Sequence, residues 1–238
     1  MRIQLIPALA SMAIATSGWA DCVAQGAAAR PRLVELYTSE GCSSCPPADD
    51  WLRRLRQDAN LAALEFHVDY WDSLGWRDRF ADARYTARQQ RQAARDGGSG
   101  VYTPQVVLDG RSWSSWYRSN ARAEAATSSA AMRLTLTPGP VLHVKLVTVM
   151  DRPADADGFR NYVAITEDGL ASQVRAGENR GVLLRHDHVV RAFAGPLPLA
   201  GEADIKVPED LDDTHATVIA FAQRESDGAV AQVLSCKL

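Results

Sequence analysis

Two cysteines, Cys42 and Cys45, stand in C-x-x-C spacing with two serines between them. A short apolar stretch that predicts a strand precedes them. Pro46 and Pro47 follow them, at positions that suit the first turn of a helix. Two thiols at the start of a helix can close a small disulfide, and the helix dipole favours the thiolate form of a thiol placed there. This spacing therefore indicates thiol–disulfide exchange.

The same spacing also serves zinc sites and permanent disulfide bridges. A structural zinc site needs about four ligands, but the two further cysteines, Cys22 and Cys236, lie at opposite ends of the sequence. A redox site and a permanent bridge both remain open. The reactivity of Cys42 is open too, because the helix dipole favours its thiolate whereas the carboxylate of Glu40, two residues earlier, disfavours it.

Residues 1–20 have the pattern of a secretory signal peptide. Arg2 gives a positive start, Ile3 to Ala15 form a short apolar core, and Gly18 and Ala20 are small residues near a cleavage point. The apolar run is too short to span a bilayer, so we expect an exported, periplasmic or secreted protein with no membrane span after cleavage. Export would place the cysteines in an oxidising compartment.

The charge of the chain gives no indication of a nucleic-acid partner. There are 26 lysines and arginines against 29 aspartates and glutamates, which makes the formal net charge −3. No repeat or low-complexity segment is visible in the sequence.

Strand and helix patterns alternate through residues 21–131, which predicts an α/β domain there. The predicted strands are Leu33–Thr38, Ala62–Trp71, Thr103–Leu108 and Arg111–Ser115, and the predicted helices are Pro46–Arg56, Trp76–Asp96 and Asn120–Ala131. Asp109-Gly110 predicts a two-residue hairpin turn between the last two strands. Tyr70 and Trp71 lie in an aromatic, acidic segment that either lines a substrate groove or packs a loop.

Residues 132–238 show strand patterns without helices, which predicts an all-β, sandwich-like domain. Strands are predicted where apolar and polar residues alternate from Met132 to Leu146, and at Phe159–Thr166, Val182–Phe193, Thr217–Gln223 and Ala229–Ser235. His186 and His188 lie two apart on one of these strands and would face the same side. Such a pair can ligate a metal or simply belong to an ordinary strand face, and we favour the second interpretation.

Four arginines recur at helical spacing along the predicted helix Trp76–Asp96. They are Arg84, Arg88, Arg91 and Arg95. A solvated helix face is the preferred interpretation. The alternative is a cationic strip that steadies a thiolate or an acidic partner.

The order of the predicted elements and the C-x-x-C motif resemble a thioredoxin fold over about residues 32–131. Longer motifs, VELYTSEGCSSCPPAD, VDYWDSLGWRDRF, YTPQVVLDG and GENRG followed by LRHDHVVR, resemble a family of secreted bacterial thioredoxin-like proteins, catalogued as domain of unknown function 1223. The resemblance implies fold and location but no established activity. It also implies that Thr103-Pro104 is a cis-proline position beside the thiols.

The favoured hypothesis is an exported thiol–disulfide oxidoreductase without cofactor or metal, whose partners are protein thiols or disulfides. Cys42 would attack a substrate disulfide and Cys45 would resolve the mixed disulfide, while Thr103 and Pro104 would shape a docking edge together with Tyr70 and Trp71. One alternative is a binding protein that holds a soft metal such as Cu(I) through both thiols and a histidine. Another is a structural module with permanent disulfides.

The cysteine pairing follows from sequence separation. The short span makes Cys42–Cys45 the easiest closure, which leaves Cys22–Cys236 as the second predicted disulfide. The second bridge would anchor the N-terminal segment to the last strand.

Overall fold

The computed structural model describes residues 22–26, 28–98, 100–119 and 124–238, with the backbone alone for residues 22–24. Within these ranges the chain forms strands β1 (Cys22–Gln25), β2 (Ala29–Arg30), β3 (Arg32–Thr38), β4 (Leu61–His67), β5 (Gln105–Leu108), β6 (Arg111–Ser112), β7 (Ala126–Thr127), β8 (Ala130–Thr137), β9 (Val141–Met150), β10 (Phe159–Glu167), β11 (Leu170–Gln173), β12 (Leu183–His186), β13 (Val189–Leu197), β14 (Ala200–Lys206), β15 (Ala216–Arg224) and β16 (Val230–Lys237). The α-helices of the described part are α1 (Pro46–Arg54) and α2 (Ala83–Arg95). The predicted signal peptide, residues 1–20, lies outside the described residues.

One eight-stranded sheet runs through the protein, in the order β16-β15-β10-β13-β4-β3-β5-β6. Its junction is the parallel pair β13 and β4, where Val189 lies opposite Glu65 and the Glu65 N–H donates to the His188 carbonyl at 2.9 Å. The predicted fold class, an α/β thioredoxin-like domain followed by an all-β domain, is therefore wrong, because strands from both predicted parts share this sheet. Local residue patterns predict strands but do not predict which distant strands pair.

A second sheet, in the order β1-β8-β9-β14, packs on the part of the large sheet that contains β10 and β15. Strand β8 alternates as a half-buried strand should: Leu134 and Leu136 are buried, whereas Arg133 is exposed. The buried face meets Val163 of β10 and Val218 of β15. The strand-only pattern of the C-terminal part is thus found, but one of its sheets continues into the N-terminal part.

The helices α1 and α2 cover opposite faces of β3. Val34 and Leu36 pack against Trp51 of α1. Leu33 and Tyr37 point the other way, into the core that contains side chains of α2. A strand that is buried on both faces has a nearly continuous apolar sequence, which β3 shows.

The helix α2 is shorter than predicted. It starts at Ala83 rather than Trp76, because the side chain of Asp82 accepts the Arg84 N–H at 2.8 Å and caps the first turn. The segment before Asp82 forms turns, including a short 3₁₀ turn at Asp72–Leu74. Side chains of this irregular segment contact the cysteine loop: Trp76 donates to the Glu40 carboxylate, and Asp78 accepts from the Glu40 N–H.

The helix predicted over Asn120–Ala131 is wrong for its described part. Residues 124–131 contain β7 and the start of β8, whereas residues 120–123 lie outside the described residues. Alanine favours helices only by fractions of a kcal/mol per residue. Here the pairing of Ala130 with Met150 of β9 and burial of its side chain outweigh that preference.

The predicted hairpin at Asp109-Gly110 is confirmed. Leu108 pairs with Arg111, and both turn residues have positive φ, 48° and 79°, as a two-residue turn of this kind requires. A side chain at Gly110 would also collide with the backbone of Gly228.

The predicted solvated arginine face is wrong at one position. Arg84 and Arg91 are exposed, but Arg88 is only 2% exposed. Its guanidinium donates to the Glu35 carboxylate at 2.7 Å and to the Gln223 side-chain carbonyl at 2.9 Å. Its charge also lies over the rings of Phe66, Tyr162, Phe193 and Phe221. Arg88 therefore holds strands from both parts of the large sheet.

We expect Arg88→Met to lower the free energy of unfolding by about 3–5 kcal/mol, because the Glu35 carboxylate would stay buried without its partner. Urea unfolding followed by circular dichroism measures this loss. The matched control is Arg84→Met on the same helix, whose side chain is 65% exposed and pairs only with Asp82. We expect that control to cost less than about 1 kcal/mol. Equal losses in the two variants would contradict the role given to Arg88.

Candidate functional site

Cys42 and Cys45 form a disulfide, with their Cα atoms 5.5 Å apart. Cys45 is the N-cap residue of α1, and Pro46 and Pro47 occupy the first helical positions, as the sequence predicts. The pair therefore sits where the helix dipole stabilises negative charge on a sulfur.

The disulfide is covered. Both cysteines are fully buried, whereas Ser43 and Ser44 between them are exposed. In this oxidised form, Cys42 is no more accessible than Cys45. Reagents in solution therefore meet serine hydroxyl groups before they meet sulfur.

A loop that lies more than 130 positions later in the sequence contacts the cysteine loop. We call this loop, residues 175–180, the clamp loop. Glu178 accepts from the Ser43 N–H at 3.1 Å and from its hydroxyl at 2.7 Å, and these hydrogen bonds lower the pKa of Glu178. The buried amide of Asn179 donates to the carbonyls of Glu40 and Cys42, both at 2.9 Å. These contacts fix the backbone on both sides of Gly41.

The predicted docking residues lie in part beside the disulfide. The Thr103–Pro104 bond is cis, as predicted, and the Thr103 carbonyl lies 3.5 Å from the Ser44 hydroxyl. Trp71 donates from its ring nitrogen to the Thr103 hydroxyl at 2.9 Å. The structure therefore brings Thr103, Pro104 and Trp71 to the cysteine loop.

Two aromatic side chains have structural contacts in this region. A Cβ at Gly41 would lie 3.0 Å from the Cβ of Trp71, so the close approach of the two segments depends on glycine. Tyr70 donates to the Gln89 side chain of α2 at 3.3 Å and is half-buried. Tyr70 thus packs its loop onto α2.

A group of buried ionisable side chains surrounds this loop on its inner side; we call Glu40, Glu65, His67, Asp78 and His186 the carboxylate–imidazole cluster. All five are at most 2% exposed. Glu40 is singled out in the sequence by its charge and His186 as half of a histidine pair, whereas the other three residues are not predicted as site residues. The available signal was that two ionisable residues, Glu65 and His67, fall within the predicted strand Ala62–Trp71.

The two histidines of the cluster are arranged alike around Glu65. His67 Nε2 lies 2.9 Å from Glu65 Oε1, and His186 Nδ1 lies 2.7 Å from the same oxygen. The opposite ring nitrogens face outer carboxylates: His67 Nδ1 lies 2.6 Å from Asp78, and His186 Nε2 lies 3.8 Å from Glu40 Oε1. His67 therefore bridges Glu65 and Asp78, whereas His186 hydrogen-bonds to Glu65 and faces Glu40 without a hydrogen bond.

These contacts shift the pKa values of the cluster. Burial raises the pKa of Glu65, but the charges and hydrogen bonds of His186 and His67 outweigh it and lower this pKa to about 2. Burial lowers the pKa of His67, but Asp78 and Glu65 outweigh it and raise this pKa well above the ordinary value. Burial and the Glu65 charge raise the pKa of Asp49, in the first turn of α1, to about 7.

The predicted same-side pair of His186 and His188 is wrong. The strand is interrupted at Asp187 and His188, where His188 has a φ of 64°. His186 faces Glu65, whereas His188 Nδ1 lies 3.5 Å from Asp168. The positive φ of His188 interrupts the regular alternation of side chains along a strand, and the predicted same-side placement of His186 and His188 depended on that alternation.

The predicted Cys22–Cys236 disulfide stays a prediction, because the side chain of Cys22 lies outside the described part of the chain. Strand β1, which begins at Cys22, does pack against β16, which contains Cys236. Among the described residues, no helix is long and apolar enough to cross a membrane.

Comparison with known proteins places these features in a family. Residues 33–223 match the sequence model described as "Protein of unknown function (DUF1223)", a range that runs from β3 to β15 and includes the disulfide, the clamp loop and the cluster. The chain belongs to the DUF1223 family. No curated protein matches this DUF1223 chain.

Two solved structures are similar to this DUF1223 protein in fold. One is the crystal structure of protein AGR_C_4864 from Agrobacterium tumefaciens, with a TM-score of 0.57 and 23% sequence identity, over 86% of this chain and 92% of that one. The other is HBP35 of Porphyromonas gingivalis, with a TM-score of 0.61 and 14% identity, over 90% of this chain and 76% of that one. At these identities the likeness concerns the fold alone.

We expect Asn179→Ala to speed the reduction of the Cys42–Cys45 disulfide by a small thiol. Loss of two hydrogen bonds to buried carbonyls costs about 1–3 kcal/mol, and one or two kcal/mol raises the open fraction of the clamp loop roughly five- to thirtyfold. The rate is measured by quenching with an alkylating reagent and counting labelled thiols by mass spectrometry.

The matched control for this experiment is Asn161→Ala. Asn161 is also buried, but its amide donates to the carbonyls of Pro198 and Leu199 and accepts from the Thr148 hydroxyl, away from the cysteine loop. We expect a similar loss of stability without faster reduction. Equal acceleration in both variants would show that global unfolding, and not the clamp loop, controls access to the disulfide.

Proposed function

We propose that this protein is an exported thiol–disulfide oxidoreductase that acts on protein thiols or disulfides. The observation that carries the proposal is the Cys42–Cys45 disulfide at the N-terminus of α1, with the Thr103 carbonyl beside its loop. A helix N-terminus lowers the cost of the thiolate that exchange requires.

In the reducing direction, the Cys42 thiolate attacks one sulfur of a substrate disulfide. The other substrate sulfur leaves as a thiolate, and a mixed disulfide forms on Cys42. Cys45, as a thiolate, then attacks Cys42 Sγ, which restores the Cys42–Cys45 disulfide and releases the second substrate sulfur. Two electrons pass from the protein to the substrate, and the reverse sequence oxidises a dithiol substrate.

The surroundings of the disulfide support a protein substrate. The exposed Ser44 and the Thr103 carbonyl offer hydrogen-bonding groups to an extended backbone, whereas the Ser43 N–H and hydroxyl are held by Glu178. Both cysteines are fully buried, so a local opening has to precede attack on a substrate by Cys42. We take the clamp loop, whose Asn179 donates to the Cys42 carbonyl, as the segment that moves. Such movement makes exchange depend on a local opening rather than on a permanently open groove.

The N-terminal sequence supports export. The positive start, short apolar core and small residues of segment 1–20 fit a signal peptide. Delivery to an oxidising compartment would keep the disulfide formed between catalytic cycles.

A permanent structural disulfide is the second candidate, and the full burial of both cysteines favours it. The two candidates differ in the reduction potential of the pair. Exchange catalysts lie between about −270 and −120 mV, whereas structural disulfides lie below about −300 mV.

We expect Cys45→Ser to accumulate a mixed disulfide on Cys42 when the reduced variant meets a disulfide-bonded protein such as insulin, because the resolving thiol is absent. Non-reducing gels and mass spectrometry detect the adduct. Cys42→Ser, which keeps the other thiol, is the control and should trap far less. No adduct in either variant, together with a wild-type potential below about −300 mV, would support the structural candidate instead.

A further inference from the structure

We propose that the carboxylate–imidazole cluster binds a divalent first-row transition-metal ion, with Glu65, His67 and His186 as its protein ligands. This site is independent of the proposed exchange reaction, since it uses none of the cysteines. Two imidazoles and a carboxylate are the donors that zinc and its neighbours prefer, whereas magnesium and calcium prefer oxygen donors throughout.

The spacing of the three residues fits one ion. Their ligand atoms all lie within 4.8 Å of one another, and all three side chains are buried. Around a tetrahedral zinc with bonds of about 2.1 Å, neighbouring ligand atoms lie about 3.4 Å apart. The nitrogen-to-Glu65 distances of 2.7 and 2.9 Å therefore have to lengthen by about 0.5–0.7 Å around such an ion.

The outer carboxylates have the arrangement that metal-bound histidines use. A metal-bound imidazole donates its other ring N–H to a carboxylate, which fixes the ring and its tautomer. His67 faces Glu65 with Nε2 and Asp78 with Nδ1, and Asp78 is itself held by the backbone N–H groups of Glu40 and Phe80. His186 repeats the pattern with Glu65 on one side and Glu40 on the other.

Unpartnered buried atoms provide a second, separate observation. Glu65 Oε2, His186 Nε2 and Glu40 Oε1 have no hydrogen-bond partner, and all three residues are at most 1% exposed. Leaving such groups unpaired costs about 1–3 kcal/mol each. An ion among the inner ligands would engage the free oxygen of Glu65 and turn the His186 ring toward a full hydrogen bond with Glu40.

A cavity of about 580 Å³ adjoins the cluster at Asp78. Its charged lining consists of four aspartates, Asp69, Asp72, Asp78 and Asp82, and two arginines, Arg77 and Arg79. The carboxylates outnumber the guanidinium groups, and an excess of negative charge raises the local concentration of cations.

The test uses untagged, oxidised wild-type protein, in which the closed disulfide removes thiolates as competing ligands. After chelator treatment, the protein is titrated with ZnCl₂ by calorimetry, and bound zinc is counted by elemental mass spectrometry after dialysis. We expect one zinc ion per chain. Cobalt in place of zinc should give visible absorption bands of a low-symmetry site without a thiolate-to-cobalt band.

Three variants locate the ion. His67→Gln removes a ligand and should abolish stoichiometric binding, and Asp78→Asn, which removes an outer partner, should weaken it about 10- to 100-fold. The matched control is His188→Asn, since His188 lies nearby and is partly buried but faces Asp168, and asparagine tolerates its positive φ. That control should bind zinc like the wild type.

Wild-type protein that binds no zinc or cobalt in stoichiometric amount would overturn the proposal, whatever the variants do. Zinc binding that survives in folded His67→Gln, or that is lost in folded His188→Asn, would place the ion elsewhere and overturn it as well. Because the wild-type titration needs no variant to fold, misfolding of a variant leaves that test intact.

Discussion

A charged side chain at the centre of an aromatic core is the interaction on which the architecture depends. Burying the guanidinium of Arg88 removes it from water, a cost of several kcal/mol per ion in real proteins. The Glu35 carboxylate, the Gln223 amide and four ring faces offset that cost together. These partners belong to β3, β4, β10, β13 and β15, so the charge is satisfied only when these five strands of the large sheet have come together.

Assembly of that sheet is also what builds the site. When β13 lies beside β4, the preceding β12 and the clamp loop are carried to the cysteine loop. His186 and Glu65, separated by 121 positions in the sequence, then come within 2.7 Å of one another. The contacts of the clamp loop and the assembly of the cluster are thus consequences of one strand pairing, whereas the disulfide joins two residues of one local segment.

The sequence predicted the features that depend on neighbouring residues. The strand before Cys42, the helix start at Pro46 and the turn at Asp109-Gly110 all follow from local backbone preferences, and all are found. The start of α2 was missed because Asp82, an ordinary cap residue, competes with a continuous helical pattern. This difference concerns where a helix begins. The helix predicted over Asn120–Ala131 is a different case, because the described residues 124–131 contain strands instead.

The features that depend on distant contacts were not predictable from periodicity. Arg88 falls on a polar helical stripe, and only the aromatic rings from four strands and Gln223 show that it is buried. Glu65 and His67 looked like the polar face of a half-buried strand, since nothing local shows that α1 and β12 cover that face. The periodicity of apolar residues predicts the type of a single element, whereas the burial of a side chain depends on the other elements that pack against it.

The position of β13 between β10 and β4 has a consequence for how this protein can be divided. A fragment that stops before β8 would leave β4 as an open sheet edge, with Leu64 and Phe66 stripped of partners such as Tyr162 and Phe221. Unpaired apolar edges are templates for intermolecular strand addition. The segment that carries the cysteines is therefore not an independent folding unit. A graft or recombinant that includes this segment has to include the later strands as well.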